Sequence, residues 1–174
     1  MIEEAIRFLR PRPGAILLDA TCGTAGHSLA ILEECPDARV IGIERDPSML
    51  KRALRRVRER NIPAAKFVPV EGSYGNLRQI LKDLGVSTVD GSLFDLGASA
   101  LHLSGHEGRG FSLRASEDEL DMRYSPETAE TAAGLLGRLS AAELESIFRD
   151  LGGEHWARKI ARAIVVTRCR SPIR

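Results

Sequence analysis

The sequence has no Cys-x-x-Cys pair. Its three cysteines, Cys22, Cys35 and Cys169, are odd in number and widely spaced. This argues against a disulfide framework and against a zinc site, and it fits a reducing compartment. Long apolar runs are missing too: none approaches the ~20 residues that carry a helix across a bilayer. The opening segment, MIEEAIRFLRPRPG, is mixed in charge and too weakly apolar for a signal peptide, so a cytoplasmic protein with no membrane partner is expected. An excess of one charge is lacking as well. With 25 Lys and Arg against 24 Asp and Glu the net charge is +1, so any nucleic-acid-binding surface has to be local. Internal repeats and low-complexity tracts are absent.

What is present is the composition of an ordinary globular domain, 174 residues of which 43% are apolar and 28% charged. Strand and helix patterns alternate through the first half. Strands are expected at 15–19, 39–44, 66–70 and 89–95, with helices at 28–34, 47–60 and 77–84 between them, after a short N-terminal helix carrying Ile2, Ala5, Ile6 and Leu9 on one face. That order predicts a parallel sheet covered on both faces. The second half differs. Residues 105–112 are glycine-rich, 116–130 are acidic and turn-like, and two helices follow. One opens on the capping box Ser140-x-x-Glu143, and the other runs from about Glu154 to Arg168.

The segment Leu17-Leu18-Asp19-Ala20-Thr21-Cys22-Gly23-Thr24-Ala25-Gly26-His27 carries the chemistry. An apolar strand ends in Asp19, turns through Gly23 and Gly26, and enters a helix, as a Rossmann-like sheet does where it opens a nucleotide pocket. A dinucleotide site would begin Gly-x-Gly-x-x-Gly to cradle a pyrophosphate. Here Ala20 stands where the leading glycine would be, and Asp19 would repel a pyrophosphate while attracting a cationic cofactor. S-adenosylmethionine therefore fits better than NAD. The second strand ends at Glu44, 18 residues after Gly26, where a carboxylate can accept from both ribose hydroxyls; alone it is equally a solvated acid. Tyr74 follows the third strand, placed either beside an adenine or in the core. The fourth strand ends at Asp95. Ligands of open α/β sheets bind beyond the carboxyl ends of the strands, so Asp19, Glu44 and Asp95 are expected to converge. Asp95 is the candidate catalytic group: by accepting an N–H of an exocyclic amine it would localise the lone pair that attacks the methyl. The Asp/Asn-Pro-Pro-aromatic sequence common in amine-directed methyltransferases is not met. No metal is implied. His106 and His155 are read as structural or solvated.

Five blocks in order, Asp19 to Ser28, Ile43-Glu44-Arg45-Asp46-Pro47, Val89 to Ser99, Arg109-Gly110-Phe111-Ser112 and Leu120-Asp121-Met122-Arg123, together resemble the MraW/RsmH family. Gly153-Glu154, Ile160 to Ile164, Arg168 and Pro172-Ile173 continue the resemblance. It implies an S-adenosylmethionine-dependent methyltransferase acting on the N4 amine of a cytosine in small-subunit ribosomal RNA, cytoplasmic or, as in some relatives, mitochondrial. It assigns cofactor contacts to Ala25, Gly26 and His27, with Gly23 in the turn. Glu44 falls where aspartate is usual, Tyr74 where phenylalanine is usual, and His102 where glutamine is usual; Asp95 completes the set. Residues 1–100 would form the first part of a Rossmann-like class I core, an incomplete sheet of about four strands. Residues 101–174 would be part of an inserted helical domain, the rest of the core being absent.

Arg109 and Arg123, in loops beyond Asp95, are the candidates for guiding RNA. From Gly153 to Arg174 six Lys and Arg face a single acid, Glu154, which describes either a phosphate-tracking helix or a solvated face. The basic helix with Lys51, Arg52, Arg55, Arg56 and Arg58 is read as a solvated flank. A homodimer is left open. The rival function is a non-catalytic module binding cofactor or RNA.

Overall fold

The computed structural model describes residues 2–104, 108–114 and 117–173; Gly105, His106 and Arg174, singled out above, lie outside them. Four parallel strands, β1 (Ile16–Asp19), β2 (Arg39–Glu44), β3 (Phe67–Glu71) and β4 (Gly91–Leu93), pair in the order β3-β2-β1-β4. Period-two alternation sorts their side chains. Leu17, Val40 and Phe67 lie in register on one face, packed under α2 (Gly26–Glu34) and α3 (Pro47–Glu59). Leu18, Ile41 and Val68 lie on the other, under α4 (Leu77–Asp83). α1 (Ile2–Leu9) adds Leu9 to the first layer. The result is the three-layer α/β arrangement that the alternating pattern predicts.

β4 is shorter than the expected 89–95 because side chains take over both ends of its ladder. Asp90 Oδ2 accepts the Ile16 N–H at 2.9 Å while Oδ1 holds Arg12 at 2.7 Å. Beyond the strand, the Asp95 N–H donates to the Thr21 hydroxyl at 2.7 Å.

Packing divides the chain into two compact units, Met1–Gly97 and Ala98–Arg174. The second is helical: α5 (Ala100–Leu103), α6 (Ala132–Arg138), α7 (Ala141–Ser146) and α8 (Ala157–Arg168), with a π-helical turn, Ile147–Leu151, after α7. The capping box forms, Ser140 N–H donating to Glu143 Oε2 at 2.7 Å and Glu143 N–H to Ser140 Oγ at 3.3 Å. Leu139, Leu144 and Ala161 form this unit's small core, with Phe148, Ile164 and Val165 against it. α6 was not expected, since Gly134 and Gly137 obscure its periodicity.

Candidate functional site

β1 is flanked by β2 on one side and β4 on the other, so the chain order reverses at β1 and leaves a crevice beyond the strand ends. The glycine turn sits at its floor. Gly23 (φ +52°) and Ala25 (φ +63°) are left-handed, and a Cβ built on Gly23 or Gly26 would meet nothing within 4 Å. The turn therefore leaves open space above its backbone. Ala25 is wholly buried and is the residue before α2, a position where glycine would avoid the steric cost of positive φ.

Five side chains hold this turn in place. Glu44 accepts the Gly23 N–H through Oε2 and the Asp46 N–H through Oε1, both at 2.8 Å. A carboxylate offers about four lone-pair sites, so one remains on each oxygen for an outside donor. Arg56, on α3, reaches back to donate to the Thr24 carbonyl at 2.8 Å and its hydroxyl at 2.9 Å. Thr21 ties the turn to the Asp95 backbone. Asp19 is wholly buried: its Oδ2 accepts from Ser28 Oγ at 2.7 Å and its Oδ1 from the Thr21 N–H at 3.4 Å. Burial pushes the Asp19 carboxyl up against the lowering effect of the Ser28 hydrogen bond. Burial likewise raises the Cys22 thiol, with Asp19 and Glu44 adding to the effect, so that thiol stays protonated.

Two expectations for this unit change accordingly. Asp19 does not face the crevice; it fastens the turn to α2 from below. Arg56 is not a solvated cation but a clamp on the turn. His27 stands in the first turn of α2, part-buried, the helix starting two residues earlier than expected. Asp95 is exposed just past β4. Tyr74, in a 3₁₀ turn after β3, is half exposed and meets Phe94 edge-on, ring centroids 6.0 Å apart, so it is a wall residue rather than a core one.

The second unit uses its three candidates internally. His102 is only 4% exposed, between Phe111 and Tyr124 with centroids 5.1 Å from each, and its Nδ1 lies 3.3 Å from the Ser99 N–H. A buried, aromatic-packed ring of this kind is a core histidine, not an open ligand contact. Arg109 donates to the carbonyls of Arg123 and Tyr124 at 3.0 and 3.3 Å. Arg123 grips Asp121 through two bonds of 2.6 and 2.9 Å and reaches the Thr128 carbonyl at 3.1 Å. The Arg123 guanidinium holds the Asp121 carboxyl below its usual range. Both arginines are staples of an irregular loop, and phosphate guidance is not where their forks point. Gly110 belongs to the same loop: at φ +72°, its Cβ would fall 2.6 Å from the Glu119 carbonyl oxygen.

Residues 1–174 match the model of the MraW methylase family. The chain belongs to that family. Curated relatives named ribosomal RNA small subunit methyltransferase H include one from Trichlorobacter lovleyi, 45% identical over 99% of this chain and 54% of its own length. Another, from Dictyoglomus thermophilum, is 44% identical over 97% of this chain and 56% of its own. The chain thus spans about half the length of the curated relatives it matches. Among solved structures, the C-terminal domain of precorrin-6Y C5,15-methyltransferase from Rhodobacter capsulatus aligns with a TM-score of 0.47 at 19% identity, over 58% of this chain and 50% of that one, a likeness too loose to bear on function.

Within this family member, Thr21, Ser28, Arg56 and Phe94 are site-building residues that motif reading passes over. Thr21 and Ser28 lie inside the quoted motif; Thr21 carried a signal as a hydroxyl two residues from Asp19, whereas Ser28 is nine residues away. Arg56 gave none, because its target is 32 residues away in sequence.

Proposed function

We propose that this chain is the cofactor-binding part of a methyltransferase that transfers a methyl from S-adenosylmethionine to the N4 amine of a cytosine in small-subunit ribosomal RNA. Its setting would be the cytoplasm, where such subunits are assembled. Residues 1–100 supply the first part of the core and 101–174 part of a helical substrate domain. Family membership and the relatives' names support the reaction class. The observation that carries the cofactor is Glu44: a carboxylate at the end of β2, already held by two backbone N–H groups, with one lone pair left on each oxygen beside an open glycine turn.

That donor and acceptor set fits the cofactor. Glu44 would take the two ribose hydroxyls, and the half-exposed Tyr74 and Phe94 offer an apolar wall for a purine. When bound, S-adenosylmethionine supplies an electrophilic methyl on a sulfonium. The protein's own part is to position and orient. Thr21 holds the Asp95 main chain at the mouth of the crevice. From there the Asp95 carboxylate accepts an N–H of the cytosine amine and localises its lone pair. The proton released on N-methylation leaves to that carboxylate or to water.

Calorimetric titration of the 174-residue chain with S-adenosylmethionine tests the proposal. Micromolar binding is expected, weakened about tenfold or more by Glu44→Ala through the loss of charge-assisted hydrogen bonds. Asp95→Ala should retain most binding and lower methyl transfer to small ribosomal subunits by roughly 10²–10⁴-fold. Absence of binding by a chain shown to be folded would sink the reading; binding without transfer would favour the non-catalytic rival.

A further inference from the structure

The RNA-guiding arginines proposed from the motifs face inward, which leaves the question of what in the helical unit meets a polynucleotide. α8 gives an answer. Trp156, the sole tryptophan of the chain, is 67% exposed at the start of this helix. Lys159 Nζ lies 5.5 Å from the ring centroid. After Trp156, which caps the helix, Lys159, Arg162 and Val166 succeed one another at three- or four-residue spacing along one helix face, and Arg170 follows in the turn beyond it. All five are exposed, and Arg158 is exposed beside Arg162. Between Lys159 and Val166 that face runs about 10 Å.

The charge on this face is of one sign. Glu154, the only acid from Gly153 onward, is turned to the helix start, its Oε1 accepting the Trp156 N–H at 2.7 Å. Arg168 leaves the set, donating to the Leu136 and Leu139 carbonyls at 2.6 Å each. Among the described residues, Arg158, Arg162 and Arg170 form no ion pair. A large exposed aromatic ring in a row of cations lacks what a protein partner would bring acids to meet symmetrically, a mixed rim. It has what single-stranded nucleic acid uses: a π-face for a base and exposed cations for its phosphates.

We propose that Trp156 is a stacking platform for an unpaired base of the RNA substrate, with Lys159, Arg162 and Arg170 holding the flanking phosphates. This rests on the reading that the substrate is RNA and adds where, and in what form, the strand is held. The face selects single strand over duplex, because only an unpaired base offers its ring to Trp156.

With one tryptophan, fluorescence reports on that ring alone. The 174-residue chain is titrated with a single-stranded RNA dodecamer of mixed cytidine and adenosine, and with a duplex of the same length. Saturable quenching by the single strand and little by the duplex is expected. Trp156→Ala should weaken binding of the strand, followed by anisotropy of a labelled RNA, roughly 5- to 100-fold, and Trp156→Phe should restore most of it. Lys159→Ala with Arg162→Ala should lower the slope of log affinity against log salt by about 1.4. Strand binding without quenching, or no strand binding, overturns the proposal. So does a tryptophan signal that follows protein concentration together with a dimer in sedimentation, since a second copy would then cover the face. S-adenosylmethionine titration of the same variants separates the two readings. Cofactor binding with no quenching defeats only the platform, and quenching with no cofactor binding defeats only the methyltransferase reading.

Discussion

The sheet unit and the helical unit are held together by different means. In the first, aliphatic side chains fill both faces of a parallel sheet, and of its buried polar groups Asp19 and Ser28 serve the glycine turn while Asp46 caps α3. In the second, the core is a handful of residues around Leu144 and Ala161, and much of the order comes from arginines bonded to carbonyls and carboxylates. Apolar burial carries no titrating group, whereas the Arg123–Asp121 pair is screened by salt and lost when the carboxylate is protonated. The crevice is therefore built on the less adjustable unit.

The contrast is broken most severely from the sheet side. Ile41→Ala, at a wholly buried position in the central strand β2, should cost about 2–5 kcal/mol, read from urea denaturation by circular dichroism. A loss well under 1 kcal/mol would mean the sheet core is not the main source of stability. A finer test uses two carboxylates shifted in opposite senses. Asp121 is held below its usual range by the Arg123 hydrogen bond, so its stabilisation is complete above the unfolded carboxylate value and is lost as pH falls through the lower folded one. Asp19 is raised by burial, so its contribution is complete below the unfolded value and is lost as pH rises through the higher folded one. Relative to the parent, Asp121→Asn should therefore cost more at pH 7 than at pH 3, and Asp19→Asn less. Denaturation at both pH values that gave the same sign for the two variants would remove the distinction. The smallest effect is a gain. Ala25→Gly, at φ +63°, should stabilise the sheet unit by about 0.5 kcal/mol, the relieved strain exceeding the added chain freedom of glycine, visible as a raised midpoint; a lowered midpoint would refute it.

How much of this was legible depends on the range of the interaction. β2 was readable to the residue because Val40, Ile41 and Ile43 are apolar between turn signals, and the capping box at Ser140 because its two members sit three apart. Glu44 and Asp95 were placed by strand ends alone. The misreadings involve contacts that periodicity does not encode. Asp19 and a solvent-facing acid have the same sequence context, and only the approach of Ser28 shows that the carboxylate turns inward. Arg56 sits in a run of five cations on α3, and which of them points to Thr24 is fixed by how the helix lies on the sheet. Arg109 and Arg123 lie in irregular segments where Gly110 packs against Glu119, a constraint of backbone proximity rather than of side-chain type, and His102, on α5, is covered by Phe111 and Tyr124 from those segments.

The bond from the Asp95 N–H to Thr21 joins residues 74 apart in the chain. β1 and β2 pair across 23 residues, Ile16 with Arg39, and β2 and β3 across 27, Val40 with Phe67. Loop length adds little to the equilibrium cost of closure, only about 0.6 kcal/mol per doubling, but long-range pairing slows folding. On this count β1, β2 and β3, with Glu44, can pair before β4 and Asp95 join them. On a chain emerging from the ribosome amino end first, Glu44 takes its place before Asp95 does.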